Sequence, residues 1–187
     1  MRPLLGVIAS VVAVLVLAGA GSAGYGEPAP PAQFTLEDAR AFDDYPLFFA
    51  GDRVEGLPLV AVLRRSDTAD FVSFVYGDCT PNDDMGCAPP LEIQVWPACR
   101  RNLALYGLSP SGLTLERTTI RGVPAAVLDG GTRLELQTGR SAVVVFGDSL
   151  GRGVRVARAL RAVDGSVPVR QALPLPEPGA LEGVLAC

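Results

Sequence analysis

Leu91-Glu92-Ile93-Gln94-Val95-Trp96 alternates apolar and polar side chains without a break. A period of two marks a strand with one core face and one polar face, about 17 Å long at this length. Cys87 precedes this strand and Cys99 follows it. A disulfide spans at most about 7 Å between Cα atoms, so these two cysteines cannot join across an extended segment. Upstream, Phe71 to Tyr76 is aromatic and β-branched and reads as a second strand. Pairing the two strands antiparallel brings Cys79 to the end where Cys87 lies. Of the three connectivities open to four cysteines, Cys79–Cys87 with Cys99–Cys187 is the one this arrangement favours. The first loop, with Met85 between its thiols, offers soft ligands for copper(I) or redox chemistry. Its spacing fits neither a zinc ribbon nor a thioredoxin motif. No metal and no cofactor is therefore expected.

Outward from this pair, Thr35-Leu36-Glu37-Asp38 resembles a capping box and predicts a short helix over 36–43, stopped by Pro46. Leu57 to Leu63 is an apolar strand. Pro97 is expected to open a helix to about Leu108, with Cys99, Leu103 and Tyr106 on one face. Thr114 to Ile120 and Val123 to Leu128 read as strands broken at Arg121-Gly122, and Asp129-Gly130-Gly131 signals a hairpin. Arg133 to Gln137 alternates and is expected to be half exposed. Ala142 to Phe146 is an unbroken apolar run suited to a central strand, and a helix is expected over 150–163. Residues 165–187 form a Pro-rich tail expected to lie extended on the surface until Cys187 pins it. Glu55-Gly56-Leu57-Pro58 and Arg121-Gly122-Val123-Pro124 open similar groups and suggest a β-β-β-α pseudo-repeat. The fold class is α+β: a mainly antiparallel sheet in two strand-rich halves, helices packed on one face, stapled by disulfides.

At the amino terminus, Leu4 to Ala23 carries no charge. That length matches a signal peptide or a single membrane anchor of about 20 residues. Residues 24–32, rich in Pro and Gly, form a linker, leaving 33–187 as one extracytoplasmic domain. Localisation is thus expected to be extracytoplasmic, membrane-tethered or secreted after cleavage.

The 187 residues include 16 basic side chains, all Arg, against 20 acids and no His. Arg without Lys, with abundant Ala, Gly, Val and Pro, is the compositional mark of a GC-rich bacterial genome. A net charge of −4 argues against nucleic acid as a partner. Without His or Lys there is no histidine base, no Ser-Lys dyad, no Schiff base and no Walker P-loop.

Val143 to Gly151, which contains Gly147-Asp148-Ser149-Leu150, resembles the nucleophile block of the GDSL esterase/lipase family. The resemblance implies Ser149 as nucleophile with its own backbone N–H in an oxyanion hole, and requires a histidine base that this chain lacks. Asp148-Ser149 is equally an N-cap for the following helix, so no catalytic residue is assigned. Arg152, Arg155, Arg158 and Arg161, spaced by three, would line one helix face as a ridge for anionic head groups or an acidic partner. Trp96, on the polar face of its strand, can serve as a ligand platform or pack beneath a neighbouring segment. These readings point to an exported, non-catalytic domain with a binding or envelope-structural role. A carrier of a small apolar ligand and a carboxylate-based hydrolase are the alternatives.

Overall fold

Two four-stranded meanders meet edge to edge and make one sheet. The computed structural model describes residues 34–66, 70–79, 88–103 and 116–187; the segment 1–23, the linker 24–32, Tyr106 and Cys87 lie outside them. The first meander comprises β2 (Arg53–Val54), β3 (Leu57–Arg65), β4 (Phe71–Tyr76) and β5 (Leu91–Pro97). The second comprises β6 (Glu116–Ile120), β7 (Val123–Leu128), β8 (Arg133–Thr138) and β9 (Ser141–Gly147). Their order across the sheet is β2-β3-β4-β5-β9-β8-β7-β6, so the chain order reads the same inward from either edge. The halves join where β5 pairs antiparallel with β9, from Leu91 opposite Gly147 to Pro97 opposite Ser141.

The similar tetrapeptides occupy equivalent corners. Glu55 (φ 49°) and Gly56 (φ 80°) turn β2 into β3, and Arg121 (φ 52°) and Gly122 (φ 87°) turn β6 into β7. Positive φ at both central residues is what a type I′ two-residue hairpin requires, and that turn matches the right-handed strand twist.

One face of the sheet carries the main core. Phe74, Tyr76, Leu91, Ile93, Leu136 and Val143 are fully buried there. They are covered by α1 (Leu36–Ala41), by α2 (Leu150–Ala159) and by a ribbon in which β1 (Phe48–Phe49) pairs with β10 (Arg161–Ala162). The predicted capping box closes α1: the Asp38 N–H donates to Thr35 Oγ1 at 3.1 Å and the Thr35 N–H to Asp38 Oδ2 at 2.8 Å. On α2, Val156, Ala157 and the following Leu160 face inward. Burying a side chain the size of Leu160 stabilises by about 2 kcal/mol.

Four expectations need correction. Pro97 opens no helix: it is the last residue of β5, and Ala98–Arg100 form a turn. The Ala98 N–H donates to the Arg140 carbonyl at 2.8 Å, so pairing with the β8–β9 corner overrides the local start signal. β8 is not half exposed, since Leu134 to Thr138 are all buried. α2 ends at Ala159, because Leu160 turns extended (φ −54°, ψ 142°) and hands the chain to β10. The tail is not merely laid on the surface, for Leu173 and Ala180 are buried.

The tail is stitched down along its length. The Leu173 N–H donates to the Arg121 carbonyl at 3.0 Å, Thr138 Oγ1 to the Pro174 carbonyl at 2.8 Å, and the Glu177 N–H to the Gly139 carbonyl at 3.0 Å. It ends in the Cys99–Cys187 disulfide, with Cα atoms 5.3 Å apart. Cys79 is also disulfide-bonded. Among the described residues, no helix is long and apolar enough to cross a membrane.

Candidate functional site

The second face of the sheet holds most of the chemistry. Alternation along β4, β5 and β8 turns Ser73, Glu92, Gln94, Trp96, Glu135 and Gln137 to this side. Register then sets Ser73 opposite Gln94, Gln94 opposite Val144, and Val144 opposite Glu135. Ser73 Oγ donates to Glu92 Oε1 at 2.5 Å, Gln94 Nε2 to the same oxygen at 2.9 Å, and Trp96 Nε1 to Gln94 Oε1 at 3.1 Å. Arg101 approaches Glu135 Oε2 through both Nε and a terminal nitrogen, each at 3.1 Å. Gln137 Nε2 donates to the Arg101 carbonyl at 3.2 Å. Glu135 and Gln137 are 0% exposed. A carboxylate without water needs such a cation, because the unpaired charge would cost several kcal/mol.

This seam turns its polar groups on one another. Glu92 already accepts two hydrogen bonds on one oxygen, and Glu135 is held by Arg101. The Trp96 ring stacks on Phe71, with centroids 4.3 Å apart, and Arg101 lies 4.8 Å from its centroid. The indole thus has three internal partners: Phe71, Arg101 and Gln94. Trp96 and its polar neighbours were visible in the alternation of their strand, whereas Glu135 and Arg101 were not, because their pairing spans two segments 34 residues apart.

The other predicted site residues disperse. Arg152 pairs with Asp148 at 2.5 Å and Arg155 with Glu55 at 2.8 Å, whereas Arg158 is exposed. The Glu55 carboxyl is held below its usual range by the hydrogen bond from Arg155. Arg161 has left the helix for β10, where its guanidinium lies 5.2 Å from the Phe49 ring centroid. The ridge of four therefore reduces to a helical set of three, two of them ion-paired. Ser149 is the N-cap of α2, accepting the Arg152 N–H at 3.4 Å and donating to Asp148 Oδ1 at 3.0 Å. Among the described residues, no cluster of three or more His, Cys, Asp or Glu side chains could hold a metal ion.

Concavities also lie among the described residues. A groove of about 640 Å³ lies between Thr118, Thr119 and Pro124 on the β6–β7 side and Leu175, Leu181 and Val184 on the tail side. A smaller one, about 210 Å³, borders the Cys99–Cys187 bridge and is lined by Asp44, Asp70, Arg100 and Arg140. The first is mainly apolar with carboxylates on its tail wall; the second mixes both signs of charge. Comparison with protein-family models, curated proteins and solved structures returns no match.

Proposed function

We propose that this chain is an exported, non-catalytic domain of a bacterial cell envelope that acts by binding, either tethered through residues 1–23 or released after cleavage. The observation that carries the reading is the oxidised state of its cysteines. Cys99 and Cys187 are bridged and Cys79 is disulfide-bonded, a state that persists in oxidising compartments and is rare in the cytosol. The uncharged run from Leu4 to Ala23 supplies a route out of the cytoplasm. The binding role draws on the ties of the chemically capable groups: Ser149 caps a helix, Glu135 neutralises Arg101, and no His or Lys is present to activate a nucleophile. The open groove beside β6 offers a surface instead.

The test is a reporter that is active only outside the cytoplasm, fused after Cys187. Activity is expected for the full chain and not for a version lacking residues 1–23. Purified exported protein is expected to hydrolyse short-chain esters no faster than its Ser149→Ala variant. Cytoplasmic retention would overturn the compartment, and turnover that disappears in the variant would overturn the non-catalytic assignment.

A further inference from the structure

The tail is held in one way as far as Glu177 and in another beyond it. The N–H groups of Leu173 and Glu177 donate to the carbonyls of Arg121 and Gly139, both at hairpin corners of the sheet. Those of Ala180, Val184 and Leu185 stay within the tail. Ala180 donates to the Glu177 carbonyl at 3.0 Å, and Val184 and Leu185 donate to the Gly179 carbonyl at 3.0 and 3.2 Å. Residues 178–187 therefore form a strap that spends these backbone bonds on itself.

The strap lies across the second face of the sheet. Leu181 packs against Leu103, Ala126 and Leu128, an apolar cluster separate from the main core, and Ala126 stands opposite Glu135 in the register of β7 with β8. Gly183 passes so close to Asn102 that a Cβ there would meet the amide nitrogen at 2.6 Å, and Ala180 is fully buried. At its far end the strap is fastened covalently, Cys187 to Cys99.

That fastening can be reached from solvent. Cys187 is exposed and Cys99 half-buried, and both line the concavity of about 210 Å³. Asp44 and Asp70 face it together with Arg100 and Arg140, so the charges offset one another and access governs the approach of a reagent. Exposed disulfides exchange with thiols far more readily than structural bridges sealed in a core.

We propose that Cys99–Cys187 is a redox latch, opened by a dithiol reductant to release residues 178–187 from a sheet that stays folded. One thiolate of the reductant bonds to Cys187 Sγ, the more exposed sulfur; the Sγ–Sγ bond breaks and its electron pair leaves on Cys99. The second thiolate of the reductant then displaces Cys187 and closes the reductant's own disulfide. Two electrons pass to the protein, and the two protons of the dithiol end on Cys99 and Cys187. Release returns conformational freedom to the strap and draws Leu181 away from Leu103, Ala126 and Leu128. Redox state thus decides whether that apolar cluster is covered. The bonds at Leu173 and Glu177 do not run through the bridge and persist. The latch starts from the oxidised state on which the export reading stands and makes no use of the binding role.

The test places the exported protein, without denaturant, in graded mixtures of reduced and oxidised dithiothreitol, followed by iodoacetamide trapping and peptide mapping. Cys99 and Cys187 are expected to become alkylated together while the far-ultraviolet dichroism of the sheet is unchanged. Hydrogen exchange on the same samples should quicken about tenfold or more at the amides of Ala180, Val184 and Leu185, and stay slow at Leu173 and Glu177. Reoxidation should restore the protection. The double variant Cys99→Ser, Cys187→Ser should exchange fast at the same three amides without reductant and gain nothing from it. Reduction of the bridge only as the dichroism is lost would overturn the latch. So would three amides that stay protected after both cysteines are alkylated. A double variant that loses the sheet, or that still responds to dithiothreitol at those amides, would overturn it too. None of these outcomes alters the export and ester-turnover results, so failure of the latch is distinguishable from failure of the export and binding readings.

Discussion

The guanidinium of Arg121 donates through Nε to the carbonyl of Gln171 at 2.8 Å, tying a hairpin corner to a tail residue 50 positions away. The same side chain reaches the carbonyls of Leu160 and Pro168, so one arginine serves the end of α2 and the start of the tail together. Arg121→Ala should cost about 1–3 kcal/mol, the range for losing charge-assisted bonds to carbonyls left with fewer donors. Thermal denaturation measures the loss, and limited proteolysis should show faster cutting within 165–187. Unchanged cleavage would mean that the disulfide alone orders the tail.

The terminal bridge closes a separation of 88 residues. Chain-entropy reasoning allows up to about 4.6 kcal/mol for such a loop, less what the tail's other anchors retain. Cys187→Ser is expected to lower stability by about 2–4 kcal/mol while the far-ultraviolet dichroism of the sheet persists. Peptide mapping without reductant should recover Cys99 as a free thiol. Finding Cys99 joined to another cysteine would contradict the bridge.

Removing one member of the buried ion pair should be costlier than removing both. Glu135→Ala removes the buried carboxylate that faces the Arg101 guanidinium beside Trp96, and a loss of about 3–5 kcal/mol is expected. Glu135→Leu combined with Arg101→Met replaces both charges with apolar volume and should recover much of it. A double variant no more stable than Glu135→Ala would show that the pair itself is indispensable.

Alkaline pH should unfold the domain through two tyrosines. Tyr45 donates to the Val95 carbonyl at 3.3 Å and Tyr76 accepts the Ala50 N–H at 3.0 Å, both deep in the core. Burial pushes both hydroxyls well above the ordinary tyrosine range. The folded state therefore keeps protons that the unfolded chain releases near pH 10. Stability is fully present below about pH 10 and falls as pH rises beyond it, by about 1.4 kcal/mol per pH unit for each tyrosine. With no Lys in the chain and no free cysteine among the described residues, few other groups titrate there. Tyrosinate absorbance during pH-dependent denaturation tests this, and Tyr45→Phe should flatten the slope.

The paired strands were legible because their information is local. Phe71 to Tyr76 declares itself by aromatic and β-branched residues and Leu91 to Trp96 by alternation, and both are strands. The Cys99–Cys187 bridge followed from that geometry. β8 misled because alternation reports polarity and not water. Glu135 and Gln137 look solvated until Arg101 arrives from a distant segment to satisfy them. The segment after Pro97 misled for a related reason, since its first N–H is taken by Arg140 in another hairpin. Arg161 fits the helical spacing of three but falls beyond the turn at Leu160, which pairing between β10 and β1 imposes. The groove was invisible in sequence, being made by a tail whose course is fixed by carbonyl contacts at Arg121 and Gly139.

The symmetric order of the strands also has a kinetic consequence. Within each half every strand pairs with its neighbour in sequence, so closing those contacts needs only short loops and little chain entropy. The single junction between halves, β5 against β9, demands that residues about fifty positions apart find each other in register. The slow step of folding is then the docking of two preformed meanders, and substitutions at the Gln94–Val144 crossing should retard refolding more than substitutions at either outer edge.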